Sequence, residues 1–315
     1  MTLLCSFPSA RVTRSRVLML VLALGLTTFG AGCSDSGESA EAADGTEPLG
    51  IGNEVTVPIA AAQVSTVDPG SEPRSMLRPS YYQGTVQAVT LRTDHHIQQQ
   101  IDEQQVRDFS SPALTIPMTA TAGPDGVELT LGEVTTPDPA LSEALTAADG
   151  SHAGLEMSEL GGITALRLAP SPETSNSARA ALEQAFYQAV YRSITFPDEP
   201  VGVGAVWQVR QTVGGGVDLD QVTTATLVAR DGGRLSIRLD VTQTPKSGTW
   251  DLPNESGTLD IEDYAMRGSG DITVDLGLPL PVAGSINIGG HQFYRNPQTS
   301  TELRQVVETN VSWGG

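Results

Sequence analysis

The sequence predicts an α+β domain, mainly antiparallel β, in which a curved sheet or half-barrel packs on one amphipathic helix at about 176–194. Three observations carry that expectation. Period-two alternation of apolar and polar residues runs through most of the chain beyond Arg78, as strands with one buried face require. Glycine and proline, 33 and 20 residues, punctuate these stretches at turn-like spacings without a collagen period. One stretch, 178–194, holds neither glycine nor proline and repeats its apolar residues at helical spacing.

Taken in order, residues 84–101 read as one long or two short strands, with Val89, Leu91, Ile97 and Ile101 on one parity. Strands at 114–122 and 127–134 flank Gly123-Pro124-Asp125-Gly126, where proline presets φ and glycine supplies a positive φ. Strands at 155–160 and 163–168 flank Gly161-Gly162, a second hairpin signal. The helix then opens on Ser175-Asn176-Ser177, which offer capping oxygens. Ala178, Leu182, Ala185, Phe186, Ala189 and Val190 share about 140° of arc, with Gln184, Gln188 and Arg192 opposite. Phe196-Pro197 and Pro200 end it. Strands resume at 205–213, 222–229, 234–243, 257–263, 270–276, 284–288 and 301–311, and Asp231-Gly232-Gly233 turns the second into the third. The halves around the helix match in outline, 119–134 with 227–242 and 154–168 with 270–288. Two similar β halves are therefore an alternative organisation of one domain at 78–315.

The N-terminus has a different texture. Arg11, Arg14 and Arg16 are the only charges ahead of the apolar run 17–26. Ten residues cannot span a bilayer, which takes about 20 in a helix, so the run reads as the core of a secretory signal. Gly30-Ala31-Gly32 then lead into Cys33. This arrangement resembles a bacterial lipoprotein signal, with Gly30 standing where that family favours leucine. The resemblance implies that 1–32 is removed and that Cys33 becomes the acylated first residue, a palmitate-type lipid attachment. Residues 34–45 are acidic, small and without apolar periodicity, and Pro48, Pro58, Pro69 and Pro73 punctuate the stretch from there to residue 77. Residues 33–77 are accordingly expected to form an acidic flexible tether, whose one local pattern is an apolar patch at 55–64. The other cysteine, Cys5, lies in the discarded segment, so no disulfide is expected.

Charge narrows the function classes. The net −19 argues against nucleic acid, because a chain repelled by phosphate gains nothing from counterion release. Reaction motifs are missing from the sequence: no G-x-S-x-G, no H-E-x-x-H, no P-loop, and no serine three residues before the sole lysine, Lys246. His95 and His96 are adjacent in a strand and point to opposite faces; His152 and His291 sit beside glycines. Acidic pairs such as Asp218/Asp220 and Glu262/Asp263 lack the spacing of a calcium loop. No catalytic residue, metal or cofactor is expected.

The segment Pro200-Val201-Gly202-Val203-Gly204-Ala205-Val206-Trp207 follows the helix and opens a strand. With Leu278-Pro279-Leu280-Pro281-Val282 and the Asp-Gly hairpin, it is similar to a passage in an uncharacterised family of exported bacterial lipoproteins, over roughly 80–313. That family implies no activity. A curved sheet around one helix also resembles, in architecture alone, the half-barrels of lipoprotein carriers and lipid-binding lipoproteins. The expectation is therefore a non-enzymatic lipoprotein, anchored on the extracytoplasmic face of a bacterial membrane, that binds a lipophilic ligand or an envelope partner. Leu182, Phe186, Val190 and Trp207 are the residues expected to line the ligand cavity or fill the core. The alternatives are an envelope hydrolase using carboxylates or a metal, and a structural scaffold.

Overall fold

Residues Arg234–Pro245 show how the alternation becomes architecture. Leu235, Ile237, Leu239, Val241 and Gln243 are buried, while the residues between them are exposed. Burying a side chain of that kind is worth roughly 1.5–3 kcal/mol, so each such strand is driven to lay one face on a core. The computed structural model describes residues 54–124, 126–252 and 256–315. The signal segment, Cys33 and the tether up to 53 lie outside the described residues.

Two short strands come first, β1 (Val55–Pro58) and β2 (Gln63–Asp68). A meander comes next: β3 (Val86–Ile101), the two-residue β4 (Arg107–Asp108), β5 (Ser111–Ala122), β6 (Gly126–Leu131), β7 (His152–Met157) and β8 (Ile163–Ala169). Helix α1 (Pro139–Leu145) lies between β6 and β7, and α2 (Asn176–Val190) succeeds β8. A second meander comprises β9 (Val206–Val213), β10 (Leu219–Asp231), β11 (Arg234–Pro245), the short β12 (Thr249–Asp251), β13 (Thr258–Asp275), β14 (Ala283–Arg295) and β15 (Glu302–Gly314). The strands form one sheet in the order β1-β8-β7-β6-β5-β3-β15-β14-β13-β11-β10-β9-β2, with β4 beside β3 and β12 beside β13. Every pairing is antiparallel, and the last strand returns beside the first long one, placing Leu303 opposite Ile101 and Trp313 opposite Leu91.

The sheet is curved and unclosed. At its ends, β1 pairs with β8 and β2 with β9. Only residues 59–62 separate β1 from β2, and the five steps from Pro58 to Gln63 reach at most about 18 Å. Two strands far apart along the sheet are thereby drawn together across a short connector. That connector is held by Ile59 N–H donating to Thr164 O at 2.9 Å and Gln211 Nε2 donating to Ala60 O at 2.7 Å.

Helix α2 runs inside this curvature. Ser175 caps it by accepting from Ala178 N. From Ala178 to Pro197 no residue is fully exposed. The core has two parts. One gathers Leu182, Phe186 and Val190 of α2 with the inner faces of the first meander, Val311 and Trp313. The other gathers Leu77, Ile194, Phe196 and Trp207 with the inner faces of the second meander.

The predicted α+β class, curved sheet and helix are as found, with four differences in detail. Residues 54–77, expected within the tether, carry β1, β2 and the buried Ile59 and Leu77; the apolar patch at 55–64 was a strand signal. Strands expected at 257–263 and 270–276 are one, β13, with a register shift between Ile261 and Asp263. Gly268 and Gly270 inside it break no strand: a Cβ on Gly268 would stand 2.3 Å from Ile288 Cγ1, and one on Gly270 2.7 Å from Ile286 Cα. Helix α1 was not expected, although Asp138 caps it by accepting from Leu141 N at 2.8 Å and a proline opens it. Helix α2 ends at Val190, four residues early, with Tyr191 as its C-cap. Arg192, assigned by periodicity to a polar face, lies beyond that end and is buried.

Candidate functional site

The last turn of α2 and the chain that leaves it build a hollow. Phe186, Ala189 and Val190 face it from the helix, and Ser193, Ile194 and Phe196 from the segment beyond. Leu129, Leu155 and Ile163 close it from the first meander, Val274 and Trp313 from the strands around the returning β15. Its rim is made by Pro79 and Tyr81 on one side and by Leu278, Pro279, Leu280 and Pro281 on the other. The space free of atoms is about 710 Å³ only when open solvent beyond the mouth is counted in, so the enclosed part of the hollow is much smaller.

The rim loop is pinned by a buried amide. Gln87 on β3 donates through Nε2 to Leu280 O at 3.1 Å, and its Oε1 accepts from Leu280 N at 3.0 Å. Ser80 N donates to Leu276 O at 2.6 Å and Val282 N to Thr273 O at 2.9 Å, tying both rims to the sheet. Two prolines in the loop remove backbone donors that would otherwise face the apolar space.

The polar groups along the wall are mostly consumed. Tyr81 Oη donates to Met157 Sδ at 3.8 Å, Ser193 Oγ to Val190 O at 2.9 Å, and Asp275 Oδ1 accepts from Gly277 N at 2.9 Å. Burial also pushes the Tyr81 phenol upward, keeping it neutral. The indole N–H of Trp313 has no acceptor. The result is a carbon-lined hollow suited to an apolar occupant.

Of the residues singled out from the sequence, Phe186 and Val190 line this hollow. Leu182 sits one turn earlier in the same core cluster, 3% exposed. Trp207 belongs to the other cluster and does not line the hollow; it is fully buried, and its Nε1 donates to Thr195 O at 3.0 Å. The four are thus divided between two cores, with Trp207 locking the segment after α2. Cys33 lies outside the described residues. No family model matches the chain, and no curated protein does. Among solved structures the chain is similar to OmpT, an outer membrane protein of Vibrio cholerae, at 8% identity, over 74% of this chain and 100% of that one, with a TM-score of 0.16. So low a score carries no argument.

The histidines and acidic pairs are dispersed. His95 Nδ1 lies 2.7 Å from Thr309 Oγ1 in the half-buried interior, whereas His96 pairs outward with Asp94 at 3.2 Å. His291 pairs with Asp263 at 2.7 Å, Glu262 with Arg295 at 3.5 Å and Asp220 with Lys246 at 3.8 Å, all on the surface. Among the described residues no three His, Cys, Asp or Glu side chains are grouped as a metal site would need. The rim residues and Trp313 were missed by the sequence reading. Leu278 to Pro281 stood out as a passage, but nothing in its spacing shows which hollow it borders.

Proposed function

We propose that this chain is a membrane-anchored cell-envelope lipoprotein that acts without catalysis and holds a lipophilic molecule in the hollow at the end of α2. The observation that carries this function is the carbon-lined space left between two cores, where a helix enclosed by a curved sheet could have been packed solid. Close packing is the rule in protein interiors, and an apolar hollow open at one mouth is what an acyl or isoprenoid chain fills. The N-terminal pattern supports the anchor: a signal-like run followed by Cys33 would hold the domain at the extracytoplasmic face.

Native mass spectrometry of the full chain purified from its own membrane tests the function. A co-purifying lipid, released on activation, is the expected result. A chain that carries no lipid and takes up none from mixed vesicles is instead a scaffold or interaction module. The mass of the mature N-terminus tests the anchor separately: an unmodified end, or cleavage elsewhere than before Cys33, refutes it.

A further inference from the structure

The end of α2 carries a second feature that the apolar hollow does not use. Arg192 is 7% exposed. Its hydrogen bonds both leave from Nη1, to Gln221 Oε1 at 3.1 Å and to Tyr191 O at 3.4 Å. Its Nε has no acceptor. Among the described residues no carboxylate stands within ion-pair distance of it. Burial holds its pKa down to about 10, which still leaves the guanidinium charged at neutral pH.

The surroundings are polar and uncharged. Gln221 Oε1 also accepts from Gln243 Nε2 at 2.9 Å, and Gln221 Nε2 donates to Tyr191 O at 3.0 Å. Gln221 and Gln243 stand opposite each other on β10 and β11. On the returning strands, Gln305 on β15 stands opposite Gln99 on β3 and Gln292 on β14. Gln99, Gln221, Gln243 and Gln305 are all buried. Gln243 faces Met266 on β13 and Met266 faces Gly290 on β14, so the buried amides form two separate pairs on the inner face, each able to donate and accept without adding charge. The charge of Arg192 also bears on His95, helping to keep that imidazole neutral. A buried cation met only by neutral dipoles is costly, and proteins normally give it a counter-charge.

We propose that the Arg192 guanidinium binds an oxyanion, a carboxylate or phosphate, brought either by the head of an amphiphile or by a free anion. Its Nε edge is the one that grips a carboxylate side-on, with two parallel N–H donors. For the amphiphile, the inference rests on the function proposed above: Val190, Ser193 and Ile194, next to Arg192 in the chain, line the hollow, whereas Arg192 itself lies behind that lining. For the free anion it stands alone.

The test compares oleate, its neutral methyl ester, acetate and inorganic phosphate on the purified full chain, by native mass spectrometry and thermal shift. The parent is expected to bind oleate at least tenfold more tightly than methyl oleate. Arg192→Gln is expected to erase that preference while leaving methyl oleate unchanged, and Arg192→Lys to keep part of it. If acetate or phosphate raises the Tm of the parent but not of Arg192→Gln, and neither oleate nor its ester binds, the anion site stands and the lipophilic function falls. If oleate and its ester bind the parent equally and neither small anion shifts its Tm, the anion site is overturned while the hollow keeps its ligand. An anion preference that survives intact in Arg192→Gln overturns it as well. Should Arg192→Gln fail to fold, the acid-against-ester comparison on the parent, with Arg192→Lys beside it, decides.

Discussion

At the scale of single residues, the interior of this sheet mixes oily and polar positions on the same strands. β3 presents Leu91 and Val89 inward near one end and His95 and Gln99 toward the other. His95 is the titratable member whose protonation the fold resists. Desolvation lowers its pKa first, the charges of His96 and Arg192 push the same way, and Asp94 opposes them. The sign comes from linkage. With the folded pKa below the unfolded 6.5, the unfolded chain takes up the proton first as the pH falls, and stability is lost from about 6.5 down through the folded value. Glu183 acts in the opposite sense, because burial raises its carboxyl despite the nearby Arg179. The informative quantity is therefore a difference between variants. The fall in Tm between pH 7.5 and pH 5.5 is expected to be smaller in His95→Gln, which keeps a polar partner for Thr309, than in the parent. Equal falls in the two proteins would mean that His95 titrates freely in the fold.

At the scale of elements, the strands with clean alternation were legible in the sequence. β11, β10, β5 and β8 lie where their periodicity places them, because each has one face on a core and one in water, whereas β7 runs over His152–Met157, three residues ahead of the expected 155–160. Illegible were the elements whose stability comes from tertiary neighbours. β1 has four residues and β2 six, so short that the apolar patch at 55–64 does not distinguish them from a linker, and both exist because β8 and β9 offer free edges. β13 was divided by its glycines, whose missing side chains make room for Ile286 and Ile288 across the strand. The candidate site was half legible for the same reason. Helical periodicity marks Phe186 and Val190 as inward, but the rim comes from loops that only the sheet's curvature brings together. Residues 54–68 also yield a direct test. A tether would tolerate Ile59→Ala without cost. As a buried core residue at 4% exposure, Ile59 is expected to cost about 2–5 kcal/mol when truncated, read from urea denaturation of the full chain. No change in midpoint would return this segment to the linker.

At the scale of the whole molecule, charge and cavity divide the work. Residues 33–315 carry −22, of which −15 belongs to residues 78–315. That excess gathers in no motif, and with the anchor proposed above it would keep the domain hydrated beside an anionic membrane. Inside, the single continuous sheet lets both meanders contribute to one hollow, so filling it should stabilise the entire domain and not one lobe. The size of the effect can be stated in advance. A ligand that binds only the folded state at a hundred times its Kd adds about 2.7 kcal/mol. For a domain of this length, each kcal/mol moves Tm by about 2–4 °C, so methyl oleate is expected to raise the Tm by about 5–11 °C in one cooperative transition. Ala189, a small side chain on the wall of the hollow, supplies the control. Ala189→Phe puts a ring where the ligand should lie, at an overpacking cost of about 1–3 kcal/mol, and is expected to keep the far-ultraviolet circular dichroism of the parent while losing the shift. A shift that persists at full size in Ala189→Phe would place the ligand elsewhere on the molecule, and no shift in the parent would leave the hollow without a lipophilic role.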